Sequence, residues 1–161
     1  MDKKSDIAVG QLVPDFTLPS TEGGDITLSK LRGQKVVLYF YPKDMTSGCT
    51  IQAHEFSAIA AQYAKQGMLL FGISPDSIES HLKFIARDSI TYPLLADVEH
   101  AVADAYGVWV EKSMYGKKYM GIERATFIIG EDGKLEAIYR KVKPEGHAVC
   151  VLEDMRKSLN S

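Results

Sequence analysis

The sequence is short of cysteine: Cys49 and Cys150 are the only two in 161 residues. Two thiols make no disulfide framework, and no Cys/His spacing suits zinc. A chain without staples depends on its core, and one of this length buries about two-thirds of its unfolded surface as a single domain. One domain over residues 1–161 is therefore expected, with the polar residues 1–10 loose. No apolar run reaches transmembrane length, and Met1-Asp2-Lys3-Lys4-Ser5-Asp6 has no apolar stretch behind its charges, so neither a span nor a secretion signal is recognisable. Charge of one sign is lacking too. Nineteen basic side chains against twenty-one acidic ones give a formal net charge of −2, which recommends neither nucleic acid nor an anionic membrane as partner. The expected compartment is the reducing cytoplasm, with no metal and no cofactor. His54, His81, His100 and His147 share no spacing that suggests a relay or metal set, and are read as surface or capping residues.

What is present is a soluble globular pattern. Gln11 to Leu18 reads as a short strand that turns through Pro19 to Gly24 and returns over Asp25 to Leu28, an N-terminal hairpin. After a helical turn at Ser29 to Gly33, Lys35 to Tyr41 is apolar on both faces, as an internal strand of a covered sheet should be. A helical pattern follows from Ser47 to Lys65, closed by Gly67. Met68 to Ser74 is a second buried strand, Ile78 to Arg87 a helix opened by Pro75-Asp76-Ser77, and Tyr92 to Ala96 a strand end. Val98 to Tyr106 has helical spacing. Glu111 to Gly121, polar with Gly116 and Gly121, reads as an excursion over the surface, and Lys112, Lys117 and Lys118 as a solvated face. Arg124 to Ile129 and Lys134 to Val142 flank Gly130-Glu131-Asp132-Gly133, a hairpin signal, and Gly146 to Leu159 is helical. The order predicts an α/β fold, a central mixed sheet with helices on both faces.

One stretch stands out, Tyr39-Phe40-Tyr41-Pro42-Lys43-Asp44-Met45-Thr46-Ser47-Gly48-Cys49. It runs from a strand through a turn into the first turn of a helix that carries a cysteine. First-turn amides lack intrahelical acceptors and, with the macrodipole, present partial positive charge, which favours a thiolate there. Thr46 or Ser47 can cap this helix, and Gly48 lets the backbone approach the sulfur. Phe56, Ile59, Ala60 and Tyr63 mark the inward stripe; extended backward it places Cys49 and Gln52 on the buried side and turns His54 away.

Pro42, Thr46 and Cys49 together resemble the signature of the peroxiredoxins. Gly48-Cys49-Thr50 followed by Ala53 resembles their PrxQ branch, the bacterioferritin comigratory protein group, and similar blocks run from about residue 10 to 158. The resemblance implies a thioredoxin-like fold and a peroxidatic cysteine, Cys49, that reduces hydroperoxides. It further implies that Arg124 is the active-site arginine, that Thr46 sets its hydroxyl between sulfur and substrate, that the amides of Gly48 and Cys49 hold the peroxide, and that Pro42 shields the thiolate. Departures are visible as well. Members of the group carry a resolving cysteine five residues after the first, here His54, or on the next helix, at the position of Ile85. Ser47 stands for the usual proline and Gln52 for the usual glutamate.

Cys150 is the remaining candidate for a resolving thiol. On its helix it falls nearly opposite Ala148, Leu152, Met155 and Leu159, so a pendant thiol is expected that nothing aims at Cys49. The reading is thus a thiol-dependent peroxidase acting on hydrogen peroxide and organic hydroperoxides, a monomer or weak dimer. Its Cys49 sulfenic acid is returned to thiol by thioredoxin, glutaredoxin or a low-molecular-weight thiol. Two alternatives stay open: a non-catalytic redox sensor, and a thioredoxin-like disulfide oxidoreductase, which normally needs a Cys-x-x-Cys pair that is absent.

Overall fold

The computed structural model describes residues 7–159. Its frame is a five-stranded mixed sheet in the order β5-β4-β3-β8-β9, from β3 (Lys35–Phe40), β4 (Met68–Ser74), β5 (Leu94–Ala96), β8 (Ala125–Ile129) and β9 (Leu135–Tyr139). β3 lies at the centre, parallel to β4 and antiparallel to β8. Its apolar side chains therefore face cores on both sides, as the unbroken hydrophobic run requires.

Alternation along the strands sorts these side chains between two cores. Val36, Leu38 and Phe40 join Phe71, Ile73, Phe127 and Ile129 on one face, covered by α3 (Ala101–Ala105) and the N-terminal hairpin β1 (Thr17–Pro19) and β2 (Asp25–Thr27). Val37, Tyr39 and Tyr41 join Leu70, Leu94 and Ile128 on the other, beneath α1 (Ser47–Lys65), α2 (Ile78–Asp88) and α4 (His147–Leu159). That second core is aromatic: Tyr39 stacks on Phe56 of α1 at 4.5 Å between ring centres, and its hydroxyl bonds to that of Tyr92. The mixed sheet with helices on both faces is as expected.

Residues 1–6 of the stretch read as loose lie outside the described residues. Ile7 packs against the first core, and Gly10 N donates to the Leu135 carbonyl at 2.8 Å. Helix α3 is shorter than its spacing suggested, because His100 takes a left-handed conformation (φ 51°) and the Asp97 carboxylate accepts the amides of Val102 and Ala103. The polar stretch after it is an antiparallel pair, β6 (Trp109–Met114) and β7 (Lys117–Ile122), closed by Tyr115-Gly116 with φ of 53° and 78°. Two successive positive φ values are the mark of a type I′ turn. Among the described residues, no helix is long and apolar enough to cross a membrane.

Candidate active site

The chain leaves β3 at the sheet centre and reaches α1 in six residues. Tyr41 is still held by the sheet through its amide, which donates to the Ile73 carbonyl at 3.0 Å. Pro42 is half-buried, Asp44 buried, and Met45 adopts φ 64°. Thr46 is the N-cap by backbone conformation, yet its side chain makes no cap bond; its hydroxyl donates instead to the Lys43 carbonyl at 2.8 Å. The amides of Gly48 and Cys49 thus receive no acceptor from the cap, and they stay available to a bound oxygen.

Cys49, on the first turn of α1, is 2% exposed. Arg124, just before β8, reaches across from the neighbouring strand: Nη2 donates to Cys49 Sγ at 3.4 Å and Nη1 to Gln52 Oε1 at 2.6 Å. The antiparallel pairing of Phe40 with Ala125 is what brings the two ends together. A Cβ on Gly48 would lie 3.3 Å from Arg124 Nη2 and 3.3 Å from Pro144, so the glycine allows the guanidinium its approach. Gln52 is fully buried beside the sulfur, and its Nε2 has no hydrogen-bond partner among the described residues. The site therefore gathers Cys49, Arg124, Gln52, Gly48 and Thr46 at one strand-to-helix junction.

Cys150 is elsewhere. It is exposed on α4, its thiol donates weakly to Asp154 at 3.9 Å, and it lines a surface depression with Gly146, Val149, Glu153, Asp154 and Lys157. Burial, then the acidic side chains of Asp154 and Glu153, raise its pKa, which weakens it as a nucleophile near neutrality. His54 points away from Cys49 as expected and pairs with Asp88 of α2 at 3.0 Å; Ile85 is partly buried against the second core.

Three residues behave differently from the sequence reading. His81 is not a surface residue: it is fully buried, with Nδ1 2.7 Å from Asp44 Oδ2 and Nε2 donating to the Leu95 carbonyl at 2.9 Å. His147, at the start of α4, is buried against Thr126 at 2.8 Å. Burial and then the charge of Arg124 push its pKa down to about 4. Lys112 is half-buried rather than solvated, and burial, then Arg124, lower its pKa, so β6 borders the site. A polar run before a helix gave no sign of these partners, which come from other elements.

A buried thiol at a helix start, contacted by a guanidinium from the residue before β8, is the arrangement a thiol-based oxidoreductase would use. Comparison with known proteins makes the class specific. The model of the AhpC/TSA family matches residues 9–138. Putative peroxiredoxin bcp of Coxiella burnetii is 47% identical over 146 residues, covering 91% of this chain and 97% of that one. Peroxiredoxin Bcp of Bacillus subtilis is 43% identical, covering 93% and 96%. Among solved structures, a mutant of Xylella fastidiosa PrxQ superposes with a TM-score of 0.91 at 34% identity, covering 96% and 99%. A Xanthomonas campestris bacterioferritin comigratory protein, studied for its alkyl peroxide reduction activity, gives 0.87 at 36%, covering 96% and 98%. The chain belongs to the AhpC/TSA family, in its PrxQ or bacterioferritin comigratory branch, with the thioredoxin-like fold of that branch. It is a thiol-dependent peroxidase.

Proposed function

We propose that Cys49 is the peroxidatic residue and that the chain reduces hydrogen peroxide and organic hydroperoxides with one catalytic cysteine. The observation that carries this is the contact of the Arg124 guanidinium with Cys49 Sγ at the first turn of α1. The sulfur attacks the nearer peroxide oxygen; the S–O bond forms as the O–O bond breaks, and two electrons pass from sulfur to the peroxide. The departing oxygen gathers negative charge and leaves as water or an alcohol after taking a proton. Fixed donors aimed at that charge lower the barrier, each worth on the order of a hundredfold in rate.

Arg124 supplies one such donor set, and the amides of Gly48 and Cys49 supply another. Because the Thr46 hydroxyl gives its hydrogen to Lys43, its oxygen is free to accept from a peroxide O–H and so orient it. Pro42, half-buried at the strand exit, keeps water from the sulfur.

The product is Cys49 sulfenic acid. An external thiol attacks its sulfur, water leaves, and a second thiol releases Cys49 from the mixed disulfide. Thioredoxin, glutaredoxin and low-molecular-weight thiols are the classes of reductant, acting in a reducing compartment on a monomer or weak dimer. Stopped-flow peroxide consumption with a thiol reductant tests the reading. Cys49→Ser should abolish turnover and Cys150→Ser should leave it within about twofold; unchanged turnover in Cys49→Ser, or its loss in Cys150→Ser, would overturn it.

A further inference from the structure

The turn that delivers Cys49 is tied to α2 through one side chain. Asp44 Oδ1 accepts the Tyr41 hydroxyl at 2.6 Å; Oδ2 accepts the Ser80 hydroxyl at 2.8 Å and lies 2.7 Å from His81 Nδ1. His81 is itself pinned by donating to the Leu95 carbonyl on β5. The Asp44 backbone is held as well, its amide donating to Asp76 Oδ2 at 2.8 Å, and that oxygen also accepts the Ser74 hydroxyl at 2.7 Å. The side chains of His81 and Asp44 are 0% and 1% exposed.

This is heavy anchoring for a surface turn. Its context supplies a reason. The next residue, Met45, sits at φ 64°, a conformation that an unbranched side chain adopts only when its surroundings impose it. The left-handed step redirects the chain so that Thr46 can bond back to Lys43 and α1 can start at Ser47. Cys49 follows within one turn. The carboxylate is the buried hub of this turn; around it Asp76 holds the Asp44 amide, Thr46 bonds back to Lys43, and Arg124 and Arg87 reach Cys49 and Thr50 on the first turn of α1.

We infer that Asp44 and His81 are positioning residues for the peroxide reaction: the buried pair fixes the Pro42–Cys49 turn so that Cys49 and Thr46 meet the peroxide in register with Arg124. The inference rests on Cys49 being the reacting thiol. Displacements of about 1 Å in such a geometry cost up to about a hundredfold in rate. Simple alkylation of the sulfur needs no such alignment. A small alkylator instead gains from any loosening, since Cys49 is buried in the closed turn.

The test compares two reactions of Cys49 in the full chain, with Cys150→Ser as background. Peroxide oxidation is followed by stopped flow and alkylation by iodoacetamide mass labelling. In Asp44→Asn and in His81→Gln, which keeps a donor near Leu95 but loses the one facing Asp44, the peroxide rate constant should fall about tenfold or more while the iodoacetamide rate constant holds or rises. The double variant should be no slower than the slower single one, because both act through one contact. Ser80→Ala, which removes a single donor, should give a smaller loss of about two- to threefold, and it serves where either pair variant fails to fold. Peroxide rates within twofold of the parent in folded Asp44 or His81 variants, an undiminished rate in Ser80→Ala, or equal losses in both reactions would overturn the inference. A parent protein that does not react with peroxide would instead overturn the assignment of Cys49.

Discussion

Arg124 divides its two terminal nitrogens between Cys49 and Gln52, and a lysine cannot do both. Arg124→Lys is expected to keep the charge and the fold yet slow the peroxide step by about a hundredfold, read by stopped flow beside an unchanged thermal midpoint. Gly48→Ala makes a finer test. Its added methyl lies 3.3 Å from Nη2, so the guanidinium must yield by a few tenths of an ångström, and a several-fold slower reaction with little loss of stability is expected. His147 gives a pH signature. The folded chain keeps it neutral down to about 4, against an ordinary value of 6.5, because burial and then the Arg124 charge oppose its protonation. The unfolded chain takes up the proton first as acid is added, so this contribution is complete above pH 6.5 and is lost as the pH falls toward 4. The loss is on the order of 3 kcal/mol. Urea midpoints should decline over that window, and His147→Gln, whose amide reaches the position of Nε2 beside Thr126, should decline less.

At this scale Cys49 stood out by its place at a strand-to-helix junction and Arg124 by resemblance to a family motif, and the structure sets the two in contact. Asp44 and His81 did not stand out. They lie 37 residues apart, and neither has a neighbour in sequence that hints at the other.

Elements were read well where hydrophobic period and punctuation agree. The bounds of α1 and β4 follow from Gly67 between them, whose φ of 75° ends one and frees the other. The β6–β7 pair was missed as a hairpin because charged residues fall side by side, at Glu111-Lys112 and Lys117-Lys118, with no apolar alternation, and because Tyr115-Gly116 lacks the usual asparagine of a type I′ turn. That substitution has a consequence. Tyr115 is 97% exposed and holds φ 53°, so its ring adds little packing while its backbone is strained. Tyr115→Asn is therefore expected to stabilise the chain by about 0.5–1 kcal/mol, seen as a higher thermal midpoint. A lower midpoint would mean that the tyrosine ring is held by contacts of its own.

Across the whole molecule, topology decides which thiols can meet. The crossover that makes β3 central sets the start of α1 against β8, and so Cys49 against Arg124. Cys150 projects from the exposed side of α4 toward Asp154. Apart from Cys49, α1 and α2 carry no thiol, and they hold His54 bridged to Asp88, and Ile85 against the second core. The order of elements was legible from strand and helix periods, since β-α-β-α followed by ββα has few ways to close. The sharing of buried polar groups between elements was not, because it depends on register and not on pattern. Substituting Cys150 should accordingly leave the peroxide and reductant steps unchanged.

In the proposed cycle a single sulfur is oxidised and then waits for an outside thiol. Its most direct test is the mass of the protein, and of its peptides, after one equivalent of hydrogen peroxide with no reductant present. The expected result is one added oxygen on the Cys49 peptide, stable until thiol is supplied and absent from Cys49→Ser. A disulfide between Cys49 and Cys150, or oxygen taken up elsewhere in the chain, would contradict it.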